Sequence, residues 1–172
     1  MSRLSMTVDP GALPFTLRNA LPTFKKHVGP PVSRTVLMMQ RSARRKAPKA
    51  MSVLTNSIFA TMALDGLGGE VTPGVDYAEA VEDGTGLWGP DKTASGKMPP
   101  IESIEDWIKV RRVVPDQPHM DTRDLAFVIA RAIAARGTAP QPYLQPAFDE
   151  ERPAGEKRIY RGIKKAVREL ES

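Results

Sequence analysis

Proline placement is the strongest constraint on this chain. Proline has no backbone N–H and its ring clashes with the preceding helical turn, so regular elements are confined to the intervals between prolines. Pro10, Pro14, Pro22, Pro30 and Pro31 crowd the first 31 residues. That stretch is expected to be irregular, an arm or loose lead-in, with a helical turn or two in LRNAL and TFKKHV. The first long interval, 33–47, reads as a helix. Ser33 is its candidate N-cap. Val32, Val36, Met39, Ala43 and Ala47 recur at helical spacing as one apolar stripe, and Arg34, Arg41 and Arg45 line another face. Pro48 ends the helix by pushing Ala47 out of the α region.

The period then changes. In 53–64, Leu54, Ile58, Ala60, Met62 and Leu64 alternate with Thr55, Ser57, Phe59 and Thr61, the pattern of a strand with one buried face. DGLGG supplies a turn, and EVTPGV is the return strand, with Pro73 at an edge or bulge position. Residues 53–76 therefore read as an antiparallel hairpin. Residues 86–100 have loop composition. Ile101 to Arg112 reads as a helix with Ile101, Ile104, Trp107 and Ile108 on one face, acids early and bases late, as the helix dipole favours. Pro115 and Pro118 end it. Residues 121–136 read as a helix capped by Asp121, with Leu125, Val128, Ile129 and Ala132 as its stripe and Gly137 just past its end. Phe127 lies off that stripe. It either meets a partner chain or packs under a loop. Residues 138–148 are expected to be extended. A terminal helix follows, with a break near Pro153, an apolar face of Ile159, Ile163, Val167 and Leu170, and Lys or Arg over the remainder.

This order predicts an α+β fold: a small antiparallel sheet built around a hairpin, packed against N-terminal and C-terminal helices, with a helical insert at about 87–137. The expected organisation is a Pro-rich arm over 1–32 and a single domain over 33–172.

Composition bounds the function. A chain of 172 residues with 41% hydrophobic and 26% charged residues is globular in class. It has no cysteine, which removes disulfides, thiolate metal sites and a Cys nucleophile, and fits folding in a reducing cytosol. The N-terminus lacks the apolar core of a secretory signal. No apolar run approaches the roughly 20 residues needed to span a bilayer, so no membrane role is expected. The net charge of +5 tolerates a polyanion nearby without requiring one.

Candidate chemistry is sparse. His27 and His119 stand apart in Pro-rich segments without a ligand-type partner at helical spacing, and read as exposed loop residues. No G-x-S-x-G is present. GLGGE lacks the Lys and the following helix of a phosphate loop. The basic run of Arg41, Arg44, Arg45, Lys46 and Lys49 has no interleaved aromatics, and reads as a solvated helix face or an electrostatic polyanion contact. The acidic stretch VDYAEAVEDGTG, 75–86, has no alternating oxygen ladder for calcium. Its D-Y-A-E has the form of a capping box, with Gly84 as the stop of a short helix. Neither a metal nor an organic cofactor is expected.

Three segments then stand in order. Ala47 and Pro48 are followed by Leu54, Ser57 and Ile58. Tyr77, Ala78, Val81, Glu82, Gly84 and Thr85 follow the hairpin as Y-A-x-x-V-E-x-G-T. Pro142, Tyr143, Leu144, Pro146 and Ala147 precede the last helix as P-Y-L-x-P-A. Together they resemble the head–tail joining family of tailed bacteriophages, also called neck or tail-completion proteins. The likeness covers roughly 33–170, and the helical segment ending A-A-R-G-T is similar to an insert that many members carry. AMSVL departs from the members' T-G-x-L, and without that Gly a different geometry is expected at the entry to the first strand.

The resemblance implies a non-enzymatic virion protein at the head–tail junction, present in the host cytoplasm during assembly. It implies a small α+β subunit of a hexameric ring whose partners are other neck and tail proteins. Genomic DNA would pass nearby without specific recognition. Tyr77, Val81, Glu82, Gly84, Thr85, Pro142, Tyr143, Leu144 and Pro146 become candidate packing or subunit contacts. Arg41, Arg44, Arg45 and Lys46 become candidates to face the DNA lumen. Two other classes are kept: a cytosolic basic DNA-binding accessory protein, and an enzyme using the acidic stretch, for which Glu82→Gln would remove activity without hurting assembly.

Overall fold

The structure is a computed structural model that describes residues 4–7, 20–49, 52–92 and 98–171. It is α+β, as the sequence order implies, and the chain divides into two compact units. One comprises Ser2–Lys46, Asn56–Gly74 and Tyr143–Ser172, and the other is built from Ala47–Thr55 and Val75–Pro142.

The first unit is a helix pair on a three-stranded sheet. Its elements are β1 (Leu4–Thr7), α1 (Leu21–Lys46), β2 (Ile58–Met62), β3 (Gly68–Pro73) and α6 (Leu144–Glu171). The stripe Val32, Val36, Met39 and Ala43 is buried as its spacing requires, and Val28 and Phe24 extend it. The helix expected from Ser33 therefore begins at Leu21, and Ser33 is interior to it. Pro22 sits in the first turn, where its missing N–H has no intrahelical partner to lose. Pro30 and Pro31 lie mid-helix, at a cost of about 3 kcal/mol each. Gly29 precedes them and has no Cβ to meet the proline ring, which relieves part of the usual clash. Burial of Val28 and Val32, each at about 1.5–3 kcal/mol, offsets much of the remainder.

The terminal helix also overrides its prolines. α6 starts at Leu144 rather than beyond Pro146, and it runs through Pro153 without ending. Pro146 is in the first turn. Pro153 and Asp149, whose carbonyl it leaves unbonded, are both exposed. Gly155, Ile159, Gly162 and Ala166 are the buried face, and α1 packs along it. Of the expected face, Ile159 is fully in place, Ile163 and Val167 are half-buried, and Leu170 is exposed.

The sheet has order β1-β3-β2 and is antiparallel throughout. β2 is shorter than expected, because Val53–Ser57 form a short helix, α2, instead of the strand's first half. Leu54 and Ile58, both buried, are four apart and suit a helical turn as well as they suit alternation. β3 begins two residues earlier than expected, taking Gly68 and Gly69 from the turn. Gly69 is where α1 meets the sheet: a Cβ there would stand 2.9 Å from a Val36 methyl. β3 is the central strand, so Pro73 is not on an edge strand. It is tolerated because β1 pairs only with Gly68 to Val71, leaving the Pro73 end bonded on one side. β1 is a strand within the stretch read as an irregular lead-in, where four residues are too few to set a period.

The second unit carries α3 (Ala78–Asp83), a 3-10 turn at Gly86–Trp88, α4 (Ile101–Arg111) and α5 (Thr122–Arg136). α4 packs on α5. Asp121 caps α5 in a full capping box with Asp124: each side chain accepts from the other's backbone N–H. The buried stripe of α5 differs from the expected one. Ala126 and Ala130 are fully buried, whereas Val128 and Ala132 are exposed. In so apolar a run as LAFVIARAIAA, two adjacent stripes fit one period equally well. The structure buries the smaller residues, which let α4 and its buried Ile108 come close.

Candidate interaction site

The acidic stretch is part of a backbone clasp. α3 ends at Gly84, whose φ of +77° and ψ of 178° belong to glycine alone. α5 ends at Gly137 in nearly the same conformation, φ +81° and ψ −169°. Each glycine is followed by a threonine, and the two Gly-Thr pairs join. The Thr85 N–H donates to the Thr138 carbonyl at 2.9 Å. The Thr138 N–H donates to Thr85 Oγ1 at 3.0 Å, and the two hydroxyls lie 3.0 Å apart. Gln141 N–H adds a bond to the Val81 carbonyl at 2.8 Å. The approach requires glycine: a Cβ on Gly137 would fall 1.9 Å from the Thr85 oxygen, and one on Gly84 2.8 Å from the Thr138 oxygen.

The expected capping box at 76–79 does not form. Tyr77 is the N-cap and no side chain caps the helix. A tight turn does that work with the backbone alone, the Ala78 N–H donating to the Val75 carbonyl at 3.2 Å. Asp76, Glu79 and Asp83 are exposed, while Glu82 is buried. Among the described residues no three His, Asp or Glu side chains gather as a metal site.

Beside the clasp is a hollow of about 480 Å³ whose walls include Tyr77, Val81, Thr85, Met98, Ile133 and Thr138. It is mainly apolar. Tyr77 is half-exposed as a residue, yet burial against this wall pushes its phenol above the ordinary pKa, so it stays a neutral donor. Further out, Leu87 and Trp88 on the 3-10 turn and Phe127 and Val128 on α5 are each about half exposed. Sequence pattern singled out Phe127 but missed Leu87, Trp88 and Met98. They stand in loop composition, where periodicity carries no signal. Aromatic and Met side chains in water at that density are what interfaces enrich.

Comparison of the chain with protein-family models and with curated proteins, and of its fold with solved structures, gives no match.

The structure divides the expected contact residues between the two units. Tyr77, Val81, Glu82, Gly84 and Thr85 belong to the clasp unit, where Pro142 is exposed at its end. Tyr143 and Leu144 are buried in the helix–sheet unit, with Pro146 half-buried on the same helix. The basic run has intramolecular duties. The Arg44 guanidinium donates twice to the Ile58 carbonyl, at 3.0 and 2.6 Å. Lys46 pairs with Glu150 at 2.9 Å, and Arg45 approaches the same carboxylate at 4.0 Å. Arg41 is exposed on α1. His27 is not a loop residue: it sits on α1, its Nε2 against the Glu169 carboxylate. His119 is exposed in a turn.

Proposed function

We propose that the chain is a structural subunit of the head–tail junction of a tailed bacteriophage, joining the capsid connector to the tail as one member of a ring. The observation that carries this reading is the clasp. The Y-A-x-x-V-E-x-G-T segment, the strongest mark of the resemblance, is tied through Thr85 to Thr138 by three short polar contacts, and through Val81 to Gln141 by a fourth. Such a clasp serves rigidity rather than turnover. Around it, Tyr77, Leu87, Trp88, Phe127 and Val128 face solvent. A ring subunit needs two different patches that meet head to tail and close, and apolar side chains held on a stiff frame meet that need at low entropic cost.

Deletion of the gene from its phage should leave filled heads and tails that do not join, or tails of faulty length, seen by negative-stain microscopy of the lysate. Supplying the intact gene in trans should restore joined particles. Normal infectious particles in the deletion would overturn the reading.

A further inference from the structure

A second surface, wholly within the helix–sheet unit, carries a different chemistry. α1 and α6 flank an open groove of about 790 Å³. Its floor includes Pro30, Pro31, Ala154 and Gly162, and its walls are cationic: Lys26, Arg34, Lys157, Arg158, Arg161 and Lys165. Among the described residues, no carboxylate lines it. Two acids stand nearby and each engages a wall residue: Glu169 pairs with Lys26, and Glu151 approaches Arg158 at 3.5 Å. Among the described residues, Arg34, Lys157, Arg161 and Lys165 form no ion pair. This arrangement holds like charges together against their mutual repulsion, whereas the run at 44–46 spends its charge on Ile58 and Glu150.

We propose that this groove holds the phosphate backbone of nucleic acid, without reading its sequence. Length and composition favour that occupant. From Lys157 to Arg168, α6 has six basic residues and no acidic one. That segment spans roughly 16 Å at about 1.5 Å per residue, over which one strand of a duplex presents about five phosphates. Neighbouring Tyr160 is exposed, with Lys164 4.7 Å from its ring centre, an aromatic face of the kind that accompanies backbone contacts. A peptide bound by strand addition or as a helix in a groove would need a sheet edge or an apolar anchor pocket. The groove has neither, since prolines without N–H groups form its floor. An acidic peptide bound by charge alone is set against the duplex in the test below. A lipid surface would need large apolar side chains beside the cations, and the floor residues are proline, alanine and glycine. The groove would act in the same way whether or not the chain belongs to a phage neck, so the two proposals fail separately.

The test is fluorescence anisotropy of a labelled mixed-sequence 20-base-pair duplex with the full chain, titrated at several salt concentrations. Neutralising four phosphates gives a slope of log K against log salt of about −3 to −4. The variant Lys157→Gln/Arg161→Gln/Lys165→Gln should weaken binding by at least about tenfold and flatten the slope by about 2 to 3 units. Arg34→Gln, on the opposite wall, should weaken it in the same direction. Arg41→Gln/Arg45→Gln/Lys49→Gln makes the same change in charge outside the groove and should leave affinity within about twofold. All seven substituted positions are exposed, and unchanged circular dichroism would verify folding. Equal losses from the two triple variants, no salt dependence, or tighter binding of a poly-glutamate peptide of equal charge would overturn the proposal.

Discussion

The carbonyl oxygen of His27 lies against the Cα of Gly162, so closely that a Cβ on Gly162 would stand 2.4 Å from it. That carbonyl is the one Pro31 leaves unbonded four residues on. The missing hydrogen bond in α1 and the glycine in α6 are thus two halves of one helix crossing. The contact is to backbone and cannot rotate away. Gly162→Ala gains about 1 kcal/mol of helix propensity and forces the helices apart, an overpacking cost of about 1–3 kcal/mol. Urea denaturation should therefore show a net loss of stability. An increase would mean that the crossing relaxes freely.

Gly155 provides the contrast. Its added Cβ would fall 2.4 Å from the Cγ2 methyl of Thr35. Thr35→Ser removes that methyl and keeps the hydroxyl that donates to the Pro31 carbonyl at 2.8 Å. Gly155→Ala should carry an overpacking cost of about 1–3 kcal/mol against the same gain of about 1 kcal/mol in helix propensity, and Thr35→Ser should recover a large part of that cost. The measurement is a double-mutant cycle in urea, where simple additivity would refute the pairing.

The clasp should be intolerant at its glycine. Gly137→Ala places a Cβ inside the Thr85 carbonyl and asks alanine to hold φ +81°, so a loss of roughly 3 kcal/mol or more is expected from strain and clash together. Thr85→Val is milder. It leaves the Thr138 N–H without its acceptor, a cost of about 1–3 kcal/mol. Hydrogen exchange should show faster exchange of the Thr138 and Gln141 amides in both variants, with the amides of β3 unaffected.

Those residues also mark where sequence stops being informative. The stripe Val32, Val36, Met39 and Ala43 and the Asp121 cap are local patterns, and the structure has them as read. The passage of α1 through Pro30 and Pro31 is not local: it depends on valine burial and on a glycine in the last helix. Gly84-Thr85 and Gly137-Thr138 are each visible in the sequence as a helix stop. Nothing in either says that they bond to each other across 53 residues. The capping-box pattern at Asp76 misled because a turn from Val75 already serves the helix start. The cationic groove was half legible: the basic face of α6 is plain in the sequence, its facing wall on α1 is not.

Two carboxylates on α6 tie the helix pair together, and their partners on α1 favour the charged form of each. A hydrogen bond from Lys46, then one from Ser42, holds Glu150 below its ordinary 4.5. Hydrogen bonds with Lys26 and then His27 lower Glu169 from the same value. A carboxyl with a depressed folded pKa stabilises above its unfolded pKa, and that contribution fades as pH falls through the folded value. The urea midpoint should therefore drop as pH falls below 4.5. Glu150→Gln/Glu169→Gln should lower the midpoint near neutral pH and flatten that acid limb. Both groups are solvent-exposed, so salt should reduce the difference. An acid limb as steep in the double variant as in the parent would show that other groups carry it.

Substitution of Phe127 tests the proposed assembly role separately from folding. It is half exposed on α5, next to the buried Ala126 and outside the buried stripe of Ala126 and Ala130. Phe127→Ser should change stability by no more than about 0.5 kcal/mol, the range for surface positions. If the ring is an anchor in a neighbouring subunit, the same substitution should cost about 2 kcal/mol or more at the interface, enough to lower the yield of joined particles by at least tenfold. Complementation of the deletion with the variant gene measures that yield, and urea denaturation of the purified variant controls for folding. Full complementation would remove Phe127 from the interface, leaving Leu87 and Trp88 on the 3-10 turn as the next pair to substitute.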